Sequence, residues 1–208
     1  YMVNSILITE VTVCFVILLS CTFSFMLARF PFKGSGILIG LFFVGMMIPV
    51  HCTLIPLYNM MNMAGLIDHL WALLFPYVAS SLPIAVFLTY GHYQQLPKEL
   101  EEAARIDGCS VTGMFFRVFL PLSKPVISTI SILTALSAWN EFMFANVFLS
   151  DPNQKTLPIG LLALKGTYST DYAALCAALT MSAVPIILVY VLMSNKIQSG
   201  MVAGAVKS

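Results

Sequence analysis

Nine acidic and ten Lys or Arg side chains stand among 208 residues, so the places where they gather are the first places to look for chemistry. Eight of them lie in one stretch: Lys98, Glu99, Glu101, Glu102, Arg105, Asp107, Arg117 and Lys124. Four bases against four acids suit charge-complementary contact with another macromolecule. A segment resting on lipid headgroups, the plainer reading, favours a basic polar face instead. A second polar set interrupts an apolar run, where Thr134, Ser137, Asn140 and Glu141 recur at steps of three or four, or adjoin, as one helical stripe. Hydroxyls and a neutral amide replace the water around an uncharged polar solute without demanding a charge. Two readings follow. Either the stripe lines a solute path, or its small polar groups bond neighbouring helices at about 0.6 kcal/mol each, with Glu141 wetted near the outer headgroups. Catalysis has no candidates, since no nucleophile is paired with a base and no GxSxG or HExxH occurs. Lys165 lacks the glycine and Ser/Thr pattern of a phosphate loop. His51, His69 and His92 have no ligand-spaced carboxylate, and the five cysteines contain no CxxC, which argues against a metal centre. The chain therefore predicts neither an enzyme nor a bound cofactor.

The elements that position these residues must tolerate lipid. Hydrophobic residues make up 59% of the chain and charged ones 9%, where soluble domains carry about 25% charged residues. Five blocks, 6–27, 37–58, 70–90, 126–149 and 172–193, are long enough to cross about 30 Å of hydrocarbon at about 1.5 Å per residue. Glu10 and Glu141 are their only Asp, Glu, Lys or Arg. Glu10, near the outer end of its block, reads as reaching for the headgroups. Backbone groups in lipid must bond internally, and these runs are too long for barrel strands. The fold class is therefore an all-α integral membrane protein, one polytopic bundle over 1–208. Pro49, Pro56, Pro83 and Pro185 lie inside the blocks and predict kinked helices, and the Gly36–Gly40 step is a packing signal. Eight Lys or Arg, namely Arg29, Lys33, Lys98, Arg105, Arg117, Lys124, Lys196 and Lys207, fall on one side and only Lys155 and Lys165 on the other. The first side is cytoplasmic by the positive-inside rule, which places the N-terminus outside and predicts a further helix before Tyr1. A formal charge of +1 leaves no basic surplus for nucleic acid.

The cytoplasmic connection 91–124 is too long for a turn. Pro97 suits a first helical position, Glu99, Glu101 and Glu102 suit the positive end of a helix, and Gly108 suits its stop, so a short helix is predicted from Pro97 to Asp107. Ser110 can cap a second helix bearing Val111, Phe115 and Val118 on one face and ended by Pro121.

Within this connection Glu102-Ala103-Ala104 is followed after three intervening residues by Gly108, and after nine more by Val118-Phe119-Leu120-Pro121. The stretch resembles the EAA loop of ATP-binding-cassette importer permeases, which carries Gly and then Ile or Val, one residue, and Leu-Pro at these spacings. The likeness continues through Asn4-Ser5, Ala28-Arg29-Phe30, Met47-Ile48-Pro49, Leu54 to Tyr58, Ala138-Trp139-Asn140-Glu141-Phe142 and Ala203 to Lys207. Together these resemble the maltose-type, carbohydrate-importing branch. The resemblance implies a type I importer transmembrane domain with six helices in the natural subunit, five of them here, in a bacterial cytoplasmic membrane. It implies two ATPase subunits that bind ATP and Mg, a second permease, and an extracytoplasmic solute-binding protein meeting the outer segment 150–171. It assigns coupling to the ATPase to Glu102, Ala103, Ala104, Asp107, Gly108, Leu120 and Pro121. An ungated channel or scaffold needs no ATPase partner, an intramembrane enzyme needs a paired nucleophile and base, and the same fold can carry another small solute.

Overall fold

The computed structural model describes residues 1–164 and 171–205, so Lys165, Val206 and Lys207 lie outside the described residues. Those described contain helices and turns and no strand. The helices are α1 (Met2–Arg29), α2 (Ser35–Met47), α3 (Leu54–Met63), α4 (Leu74–Gln95), α5 (Glu99–Ile106), α6 (Val111–Met114), α7 (Leu120–Leu122), α8 (Lys124–Asn140), α9 (Met143–Phe148), α10 (Leu157–Ala163) and α11 (Tyr172–Ala205). Short 3₁₀ turns at Val50–Thr53 and Leu70–Leu73 lead into α3 and α4. Among the described residues, Met2–Arg29 and Leu70–Gln95 are each long and apolar enough to cross a membrane alone, and up to four such spans result if each bent helix pair counts as one.

Two expected spans are not continuous helices. The block 37–58 breaks at Ile48–Pro49, where α2 has ended and Pro49 is extended (φ −62°, ψ 118°). Proline supplies no backbone N–H and pushes the residue before it out of the helical region. The block 126–149 breaks at Glu141–Phe142, between α8 and α9. Pro83 and Pro185 remain inside α4 and α11. The Gly36–Gly40 step packs no seam within the described chain, since a Cβ at either glycine would meet nothing within 4 Å.

The chain comprises two compact units. The first comprises Tyr1–Cys14, Ile48–Ser81 and Ile132–Met193. Its core gathers Ile8, Leu73, Tyr77, Phe144, Phe148 and Ile159. Loop polar groups close one end. Asn4 Nδ2 donates to the carbonyls of Asn153 (2.8 Å) and Lys155 (2.9 Å), and the Leu157 N–H donates to Ser5 Oγ (2.8 Å). Asp68 stands at φ +63°, a left-handed conformation that Asp tolerates better than most residues. Its Oδ1 accepts the N–H groups of Ser150 and Asp151.

The second unit comprises Phe15–Met47, Leu82–Ser131 and Ser194–Ser208. Its core is aromatic: Phe25 packs against Phe30, Tyr93, Phe115 and Phe119 at centroid distances of 5.0 to 6.1 Å. Small polar residues join α1 to α4, where buried Ser24 Oγ lies 2.5 Å from Thr89 Oγ1 and also bonds the Val86 carbonyl. Such bonds hold membrane helices together where lipid removes the hydrophobic drive between them.

Candidate functional site

In the charged connection the helix begins at Glu99 rather than at Pro97, with Lys98 as its N-cap. The N–H groups of Glu101 and Glu102 donate to the Lys98 carbonyl. Three acids occupy the first turn and Arg105 the last, the charge order that complements a helix dipole. The stop is a Schellman motif: the Cys109 N–H reaches the Ala104 carbonyl at 2.9 Å and the Gly108 N–H reaches that of Arg105 at 3.0 Å. Gly108 sits at φ +73°, where any side chain would be strained.

At about 100° per residue the helix sends neighbouring residues to opposite faces. Ala104 is 4% exposed and packs beside Phe115 and Phe119, and Glu101 also turns inward. Glu102, Ala103, Arg105, Ile106 and Asp107 face out, with Ile106 86% exposed. Of the adjacent alanines read from sequence as a close-approach surface, only Ala103 is free to serve as one.

The mount beneath α5 centres on Arg29, the last residue of α1. Its Nη1 lies 3.3 Å from Glu101 Oε1, its Nη2 donates to the Leu96 carbonyl at 2.6 Å, and its guanidinium sits 5.0 Å over the Phe119 ring. Arg105 stacks on Phe30 at 5.9 Å. Beyond Gly108, Ser110 caps α6 by accepting the Gly113 N–H at 3.2 Å. The helix predicted to end at Pro121 instead passes through a π turn, Phe115–Phe119, and continues into α7. Pro121 is the second residue of α7, directly after the π turn. The chain then turns by 75° between Val111–Leu122 and α8. Leu120 is half-buried and Pro121 exposed.

The members of the second polar set differ in their surroundings. Thr134 is buried, Ser137 and Asn140 are exposed, and Asn140 Nδ2 bonds the Leu136 carbonyl of its own helix at 2.8 Å. Glu141 stands past the end of α8 and caps α9. Its Oε1 accepts the Phe144 N–H (2.8 Å), and its Oε2 accepts the Ala145 N–H (3.2 Å) and the buried Tyr77 hydroxyl (2.7 Å). An apolar cavity of about 460 Å³ borders Glu10, Thr9, Leu136 and Trp139, and none of the four expected path residues lines it. In the outer segment, Ile159 and Gly160 of α10 are buried and Leu162 is exposed, while 165–170 lie outside the described residues. No His, Cys, Asp and Glu cluster able to hold a metal occurs among the described residues.

Sequence reasoning missed Ile106, Arg29 and Tyr77 as members of these sites. Ile106 was legible as an apolar residue three positions from Ala103, on the polar face of a charged helix. Arg29 and Tyr77 meet partners more than 60 positions away, which no local pattern announces.

Long apolar helices, broken spans and a short charged helix built on an aromatic mount define a polytopic helical membrane protein. Residues 20–199 match the family of the binding-protein-dependent transport system inner membrane component, and the chain belongs to that family. It is 41% identical over 207 residues to the probable ABC transporter permease protein YurM of Bacillus subtilis, covering 100% of this chain and 69% of the relative. It is 33% identical over 209 residues to the trehalose/maltose transport system permease protein MalG of Thermococcus litoralis, covering 100% and 75%. Its fold matches a bacterial ABC transporter involved in import of the acidic polysaccharide alginate, with a TM-score of 0.81 at 23% identity over 93% of this chain and 72% of that one.

Proposed function

We propose that this chain is the permease subunit of an ATP-binding-cassette importer that carries a sugar or oligosaccharide inward by alternating access. The observation that carries the reading is α5. A helix of eight residues is anchored by Glu101 and Ala104 and turns Glu102, Ala103 and Ile106 outward, in a chain that belongs to a transport family. An exposed isoleucine flanked by charges is the composition of a docking anchor with a polar rim. Two ATPase subunits, one on this chain and one on a second permease, bind ATP and Mg and grip these helices. Their closure moves α5, and the segment through α6, α7 and α8 rocks the cavity between inward- and outward-facing states. An extracytoplasmic binding protein delivers solute to the outer segment, and α5 and the C-terminus lie on the cytoplasmic side. The sugar assignment is supported by the trehalose/maltose permease relative and by the neutral Ser137 and Asn140, which suit hydroxyls.

Purification of the chain through an affinity tag, followed by reconstitution with its co-purifying subunits and binding protein in vesicles, tests the reading. Maltose, trehalose and unrelated amino acids are then compared as stimulators of ATP hydrolysis. Stimulation by a sugar is expected. Absence of any co-purifying ATPase, or stimulation by amino acids alone, rejects the proposal. Orientation is tested separately through half-buried Cys109, which should react with impermeant maleimide only when the cytoplasmic face is open.

A further inference from the structure

Stability alone does not account for Arg29. Its side chain is 5% exposed and that of its partner Glu101 is 14% exposed. Such a buried ion pair gains little or nothing over apolar side chains of the same size, because both ions must leave water. Its Nε also finds no hydrogen-bond partner. The arrangement is better suited to fixing geometry than to adding stability.

What it fixes is specific. From the end of α1 the guanidinium reaches Glu101 on α5, the carbonyl of Leu96 between α4 and α5, and the face of Phe119 in the π turn that precedes α7. Covalently, α5 is joined to its neighbours only through Leu96 to Lys98 on one side and Asp107 to Ser110 on the other. Two such short linkers carry a pull along the chain but resist rotation poorly. The planar guanidinium fork, held at three points, resists rotation about the α5 axis. We propose that Arg29 is a positioning residue of the coupling apparatus, which clamps α5 to the end of α1 so that displacement of α5 is delivered to α1 as well as along the chain to α8. The inference rests on the reading of α5 as the element gripped by the ATPase.

The test uses the transporter purified with its ATPase subunits, carrying a nitroxide on native Cys109 beside α5 or, through Met26→Cys, on the exposed face of α1 near Arg29, with the other cysteines replaced. Spectra are compared without nucleotide and after trapping with ATP, Mg and vanadate. Both labels should respond in the parent complex. In Arg29→Met the Cys109 response should persist while the α1 response falls about fivefold or more, and Arg29→Lys should restore part of it. Glu101→Gln removes the charge on the α5 side and should give an intermediate loss. It also serves as the deciding variant if Arg29→Met fails to assemble. An undiminished α1 response in these variants overturns the clamp. Loss of both responses in an assembled variant also overturns it, because Arg29 would then only keep α5 folded. A parent complex in which Cys109 itself does not respond refutes the docking of α5 instead, a separate and recognisable failure.

Discussion

Ile106→Ala isolates the docking surface from the fold. The side chain is 86% exposed, so it contributes almost nothing to the packing of its own chain. Truncation to alanine removes three carbons, worth about 0.8 kcal/mol each when moved from water to an apolar groove, or about 2.4 kcal/mol in full. Scaling by the fraction still free to be buried leaves about 2 kcal/mol, near a 30-fold loss of affinity for the ATPase subunit. The effect on folding has the opposite sign, since alanine exceeds isoleucine in helix propensity by a few tenths of a kcal/mol. The assay titrates ATPase subunits onto the tagged permease pair in nanodiscs, with thermal unfolding of the same preparation as control. The expected result is an affinity about 30-fold weaker with an unchanged or slightly higher unfolding temperature. A change under threefold would mean that Ile106 is not an anchor. A clear drop in unfolding temperature would mean that it packs on something within the permease pair.

Gly108→Ala should cost about 1 kcal/mol in the unfolding of the purified chain; a Cβ there meets nothing within 4 Å, so the penalty comes from the φ of +73° alone. Glu141→Ala removes the cap of α9 and leaves the Tyr77 hydroxyl buried without its acceptor, for an expected loss of about 2 to 3 kcal/mol by chemical denaturation. Ser137→Ala and Asn140→Ala, both at exposed positions, should leave stability within about 0.5 kcal/mol and raise the half-saturating sugar concentration in vesicle uptake; unchanged uptake in both would remove them from the solute path. Asp68 stands between the apolar blocks 37–58 and 70–90, and the N–H groups of Ser150 and Asp151 hold its carboxyl below the ordinary value of 3.8. A lowered folded value means that its contribution is complete above about pH 4 and is lost as pH falls through the folded value. Asp68→Asn, which keeps an acceptor and tolerates the left-handed backbone, should flatten that acid limb in a pH series of thermal unfolding.

The parts legible in sequence were those set by short windows. Apolar blocks announce themselves because lipid selects composition over about 20 residues at a time. Gly108 announces the stop of α5 because few other residues accept its backbone angle, and Ser110 announces the start of α6 through its own side chain. The breaks were harder to see. Five prolines, Pro49, Pro56, Pro76, Pro83 and Pro185, lie inside the apolar blocks, yet a helix ends only at Pro49. Pro56 is third in α3, where an unpaired first-turn N–H is missing anyway. The other break, at Glu141, contains no proline or glycine. It is held by a hydroxyl 64 positions away, a relation that exists only after folding.

The run Glu101-Glu102-Ala103-Ala104 carries two surfaces in one string of letters. Successive residues of a helix diverge by about 100°, so Glu101 and Ala104 face the aromatic mount while Glu102 and Ala103 face away. One acid is bound to Arg29 and its neighbour is exposed. One alanine is small because Phe115 and Phe119 leave no room. On the proposed function, the other is small because the partner's groove must come close. A contiguous motif in sequence is therefore not one constraint in space. Its letters answer to two bodies, the chain's own core and whatever grips it from outside. On the proposed function, a force applied to the outer pair reaches the rest of the molecule through the inner pair as well as along the chain.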